Sequence, residues 1–178
     1  MKVLYVTKLV ILCLSIMCIA LLGSAQSQSS TGELGPVDTY FVTQTSLGTP
    51  FQVDSGNLAM TKGTTQAIRD YAQLMVSSHV AVNNALVAIL REKPAVPPPT
   101  LLKAAYSTMI STLEREGGKA FESDYVRGQV NYQNANAALY KYEIANGADP
   151  DLKAFAEHTL PKIEDHLRRA LNLQGGVQ

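Results

Sequence analysis

TQAIRDYAQLMVSSHVAVNNALVAILR, residues 65–91, is the stretch on which the fold turns. Within it Ile68, Ala72, Met75, His79, Val82, Leu86 and Ile89 recur at steps of three and four. That spacing lays one apolar stripe along a helix and predicts an amphipathic element facing a core. The stripe has one polar member, His79, at its middle.

Working outward, Gly63 ends the preceding segment, and Thr64 or Thr65 is placed to cap the helix. Residues 36–62 read as a first helix that Gly48-Thr49-Pro50 is expected to kink or interrupt. On the other side, Pro94 to Pro99 (PAVPPP) makes a stiff, extended connection that no helix crosses. Thr100 opens a shorter helix to about Glu116, closed by Gly117-Gly118, and a long one follows to about Ala145. Asp149, with Pro150 at the first helical position, starts the last helix, which ends near Gly175-Gly176. Pro161 inside it should bend it. Four long helices, one short one and no convincing strand predict an all-α domain over residues 36–174, a four-helix bundle with one additional short helix.

The N-terminus reads as an address. Lys2 and Lys8 precede the apolar run Leu9–Leu22 (LVILCLSIMCIALL), and Gly23-Ser24-Ala25 supplies small residues for cleavage. Residues 1–25 are therefore expected to be a cleavable signal peptide, too short for a membrane anchor, and 26–35 (QSQSSTGELG) a disordered lead-in. Removing 25 of 178 residues leaves 153, enough for one domain with a real core. The leader takes two of the 15 basic residues and none of the 15 acidic ones, leaving a net charge of −2. A near-neutral chain without a basic stripe argues against nucleic acid as a partner. Cys13 and Cys18 both lie in the leader, without the pattern that lipoprotein processing reads, so the processed chain has no thiol for a disulfide or a metal. The expectation is a periplasmic or secreted protein with no membrane span after cleavage.

The inward rows of the other long helices each carry a polar interruption. Gln52 falls among Thr45, Gly48, Ser55 and Ala59; Gln133 among Val126, Val130, Ala137, Tyr140 and Ile144; His166 among Leu152, Phe155, Thr159, Ile163 and Ala170. One polar group per long helix, Gln52, His79, Gln133 and His166, is thus expected to meet inside the bundle as a buried polar network. Hydrogen bonds from the histidines to Gln133, Tyr125 or Tyr132 would satisfy it. The competing reading makes His79 and His166 ligands of a divalent transition metal, which would also require an acid such as Asp54, Asp124 or Glu122 nearby. No Glu-x-x-His pair is present, and amides stand where acids would be expected. His158 and Asp165 read as surface groups. Tyr132, Tyr140 and Tyr142 read as core-edge tyrosines rather than a ligand-pocket lining.

No Gly-x-Ser-x-Gly elbow, phosphate-cradling glycine loop or His-Glu-x-x-His motif occurs, and nothing nominates a serine partner for the three histidines. The chain is not expected to be an enzyme, and no cofactor is expected unless the metal reading holds. A carrier of small apolar ligands would need a cavity between helices.

Several stretches together resemble a known family. They are Tyr40-Phe41-Val42, Gly56-Asn57-Leu58-Ala59, Tyr71 to His79 (YAQLMVSSH), Phe121 to Val130 (FESDYVRGQV) and Leu152 to Leu167 (LKAFAEHTLPKIEDHL). The chain resembles an exported bacterial family, domain of unknown function 4142, often labelled outer membrane proteins and assigned a ferritin-like helical fold. The resemblance implies fold and envelope location, not an activity. The family commonly carries Glu where this chain has Gln52, an acid where it has Ser78 and His where it has Gln133, while His79 and His166 match. If those family positions hold a metal, about half of the set is missing here. The resulting expectation is a structural or interaction protein of the cell envelope. Its envelope partner is unspecified, and a homodimer is compatible with the sequence.

Overall fold

A computed structural model describes residues 33–93 and 104–177. The expected signal peptide, most of the expected lead-in and the Pro94–Pro99 connection lie outside the described residues. Five helices and no strand are present among those described: α1 (Pro36–Lys62), α2 (Gln66–Leu90), α3 (Ala104–Arg115), α4 (Gly118–Asn146) and α5 (Pro150–Val177). In this helical bundle α1 packs on α2 and α4, α5 on α4 and α2, and α3 against α1 and α4.

The helix ends follow the local chemistry. Thr65 Oγ1 accepts the Ile68 N–H at 3.3 Å, and Asp149 Oδ1 accepts those of Asp151 and Leu152 at 3.0 Å, satisfying donors that a first turn leaves unpaired. The expected interruption at Gly48-Thr49-Pro50 does not occur, because α1 runs unbroken through Pro50. Packing on both sides outweighs the lost hydrogen bond. Phe51 stacks on Tyr106 with ring centroids 4.8 Å apart, and Gly48 lies so close to Tyr132 that a Cβ there would overlap the phenol oxygen. The last helix likewise continues through Pro161, between the buried Thr159 and Ile163.

The core has two apolar clusters. One gathers Ala59, Ile68, Ala72, Met75, Phe121, Tyr125, Val126, Val130 and Ala170. The other gathers Phe41, Val42, Val82, Leu86, Leu90, Tyr140, Leu152, Phe155 and Ala156. Each long helix contributes to both, and in each the chain passes a buried polar residue between its two contributions: Gln52, His79, Gln133 and His166. The first cluster lies toward the α1–α2 turn and the second toward the α4–α5 turn. By length and composition α2 is also the one described helix apolar enough to cross a membrane. Its regular stripe is instead spent on the core, where Ile68, Ala72, Met75, His79, Val82 and Leu86 are all buried. At the ends of two rows the buried residue differs from expectation. Leu90 is buried rather than Ile89, and Glu143 rather than Ile144, one step round each helix.

Candidate functional site in the bundle core

Tyr71, Met75 and His79 stand one helical turn apart on α2 and face α4 and α5. The Tyr71 hydroxyl donates to the His166 carbonyl oxygen at 3.3 Å. Gln133 of α4 places its amide nitrogen 3.4 Å from His79 Nε2 and 3.3 Å from Met75 Sδ. The His79 and His166 rings face each other with centroids 5.8 Å apart, tilted by 43°. Tyr132 closes the side of His79 in an edge-to-face contact at 5.7 Å.

Three of the four expected network residues are therefore neighbours. Gln52 is completely buried, but neither atom of its amide has a hydrogen-bond partner, and no bond joins it to the other three. Gln133 Oε1 and His166 Nδ1 are buried without partners as well. The phenols expected to satisfy the histidines do not bond their rings. Tyr125 Oη is itself without a partner, and Tyr132 meets His79 only through the ring. The tyrosine that reaches His166 is Tyr71, through the backbone. Tyr71 stands one position outside the Ile68–Ala72–Met75–His79 stripe, so the periodicity gives it no inward polar role. Sequence reasoning also misses Gln129, completely buried on α4, whose Nε2 lies 3.4 Å from Ser55 Oγ. Of the aromatic trio on α4, Tyr132 and Tyr140 are buried, while Tyr142 is exposed.

Desolvation sets the charge state. Burial pushes the His79 imidazole down to about 3, and His166 beside it pushes the same way. Burial lowers His166 to about 4, against the pull of Asp165 and with Arg169 and Lys162 adding to the drop. Both rings are neutral at ordinary pH, so each keeps one nitrogen lone pair. A Gln133 N–H donor between Met75 Sδ and His79 Nε2 fits that state, since both then accept.

The carboxylates that a hard metal would need are engaged elsewhere. Glu122 Oε1 accepts from Thr64 N, Thr64 Oγ1 and Thr65 N at the α1–α2 turn, at 2.6, 2.8 and 3.2 Å. Asp124 is paired with Arg127, and Asp54 is exposed. Asp165 holds Arg168 and Arg169 at the surface, and His158 is exposed. Among the described residues no group of three or more His, Cys, Asp or Glu side chains converges on one point. A second buried polar cluster was not anticipated. Asp38 takes the N–H groups of Gly35, Ala148 and Asp149, at 3.1, 3.0 and 3.0 Å, beside the completely buried Glu143. Outside the core, a cavity of 510 Å³ opens between α2 and α5, lined by Ala67, Asp70, Tyr71, Leu74, Arg169, Asn172 and Leu173.

A family model described as domain of unknown function, DUF4142, matches residues 23–173. The chain belongs to the DUF4142 family. A crystal structure of a DUF305 fragment from Deinococcus radiodurans is similar in fold, with a TM-score of 0.70 at 13% identity. The superposition covers 80% of this chain and 97% of the fragment. No curated protein matches the sequence. For this DUF4142 member the comparisons thus give a helical domain of unknown function, and the chemistry has to be read from the core itself.

Proposed function

We propose that this DUF4142 protein is an exported, non-catalytic bundle of the cell envelope with a structural or interaction role, and that its core histidines serve a buried polar network. Its fold on this reading is the ferritin-like four-helix arrangement with α3 added at one side. The leader-like N-terminus, with its basic start, apolar run and small residues before position 26, supports export to the periplasm or medium. The observation that carries the reading is the absence of charge at the His79–Gln133–His166 layer. Two neutral imidazoles and an amide sit between apolar clusters, and the nearest candidate acids are committed to helix ends and surface pairs. That is the composition of a specificity layer rather than of a hydrolytic or ferroxidase centre.

The test is metal content of the processed chain, purified without a His tag, with its melting temperature read across added Fe(II), Zn(II), Mn(II) and Cu(II). The expected result is no stoichiometric metal and no shift. A rise of several degrees with one of these ions, abolished by His79→Leu, would overturn the structural reading.

A second reading has its own support. His79 and His166 face each other, and His166 Nδ1 lies buried without a partner. On that reading the pair binds a metal ion.

A further inference from the structure

The second reading can be narrowed by the donor atoms around the histidines. Met75 Sδ and His79 Nε2 both approach one point, now marked by the Gln133 amide nitrogen at 3.3 and 3.4 Å. A thioether and a neutral imidazole that converge on a single donor present two lone pairs to that point. His166 brings a second imidazole beside His79, with its Nδ1 buried and without a partner. Two rings that each bind one ion through a nitrogen at about 2 Å have centroids roughly 5 to 6 Å apart, and the observed spacing is 5.8 Å.

We infer that Met75, His79 and His166 form a site for a soft monovalent cation of the Cu(I) class, with Gln133 as its gate. The inference rests on the metal-binding reading of the histidine pair and replaces a divalent ion with a soft one. Three features favour that choice. Thioether sulfur selects soft ions such as Cu(I) over Mg(II), Mn(II) or Fe(II). A single positive charge in an apolar core needs less compensation than two, and the pair has no carboxylate to supply it. Cu(I) is also satisfied by two or three ligands, which is what the site offers. The Gln133 amide, with Oε1 unpartnered, occupies the ion's position in the free state. By rotating it exchanges an N–H donor for a carbonyl acceptor, so the same side chain fills the site and then closes over the ion.

The experiment is anaerobic titration of the processed full chain with Cu(I) against a competing Cu(I) chelator. Parallel titrations use Ag(I) and Zn(II), and X-ray absorption at the copper edge reads the ligands. The expected result is one Cu(I) per chain with a sulfur ligand, and comparable binding of Ag(I). Met75→Leu, close in volume and expected to fold, should remove the sulfur signal and weaken Cu(I) at least tenfold. His166→Phe should weaken it likewise. Cu(I) bound equally well by Met75→Leu, or bound without sulfur, overturns the site. Zn(II) bound at His79 with no Cu(I) preference overturns the soft-ion inference while leaving the metal reading standing. Neither ion bound removes both, and the core is then a structural network alone.

Discussion

Glu122 of α4 holds Thr64, in the turn between α1 and α2, by two atoms at once: its Oε1 accepts the Thr64 backbone N–H at 2.6 Å and the hydroxyl at 2.8 Å. Burial would raise this carboxyl, but the hydrogen bonds from Thr64 and Thr65, with Arg69 nearby, outweigh it and lower it. The carboxylate is thus a clamp that fixes one helical hairpin against the other. Glu122→Ala should lose about 2–3 kcal/mol of stability, the range for charged hydrogen bonds left unmade, measured by urea unfolding. Its binding of any metal should match wild type. A metal-binding defect in a folded Glu122→Ala would return this acid to the site.

Gly48 has no side chain because Tyr132 takes the space. Gly48→Ala gains helix propensity of about 1 kcal/mol, yet its Cβ would overlap Tyr132 Oη. Tyr132 also packs on Phe51, with centroids 5.4 Å apart, and on His79. The net effect should be a loss of about 1–2 kcal/mol, with altered near-ultraviolet circular dichroism, since tyrosines carry that signal in a chain without tryptophan. Gly48→Ala combined with Tyr132→Phe should recover part of the loss. If the single variant is more stable than wild type, the close approach is wrong.

The α2 stripe, a cap at Thr64 or Thr65 and the start at Asp149 were legible in the sequence because each depends on residues within a few positions. The inward places of Gln52, His79, Gln133 and His166 were legible for the same reason: periodicity reports the face of a helix. What each polar group touches across the bundle was not. Whether Gln133 finds His79 or Gln52 depends on which helices are neighbours and on their axial register, and no local pattern encodes either. Asp38 and Glu143 were missed because each reads as an ordinary charged residue near a helix end. Their burial arises only when the α4–α5 turn folds over the start of α1. Met75 reads in the sequence as apolar packing, and its sulfur gains a polar neighbour only where α4 lies beside α2.

The Gln133–His79 contact can be tested by a double-mutant cycle. His79→Leu strands the Gln133 amide with Met75 Sδ alone and should cost about 1–3 kcal/mol. Gln133→Leu should cost a similar amount by leaving the buried His79 ring without its partner. The double variant replaces both polar groups with apolar ones and should lose much less than the sum, a coupling of about 0.5–3 kcal/mol. Strict additivity in urea unfolding would mean that the two side chains do not interact.

Glu143 gives the pH dependence its sign. Burial, with Asp38 and Asp149 adding to it and Lys153 opposing, raises its carboxyl from 4.5 to about 7. Asp149 itself is paired with Lys93 at 2.7 Å, which leaves Asp38 as the group whose negative charge Glu143 must share space with. The folded chain therefore holds this proton more tightly than the unfolded one. Its contribution to stability is fully present below 4.5 and is lost as pH rises through about 7. Glu143→Gln keeps the shape without the ionisation and should be more stable than wild type at about pH 8, with a smaller gap at about pH 5. The check is the urea midpoint of both proteins across that range. A Glu143→Gln variant whose midpoint falls below wild type throughout would show that the ionised carboxylate is held favourably, contrary to its unpartnered oxygens.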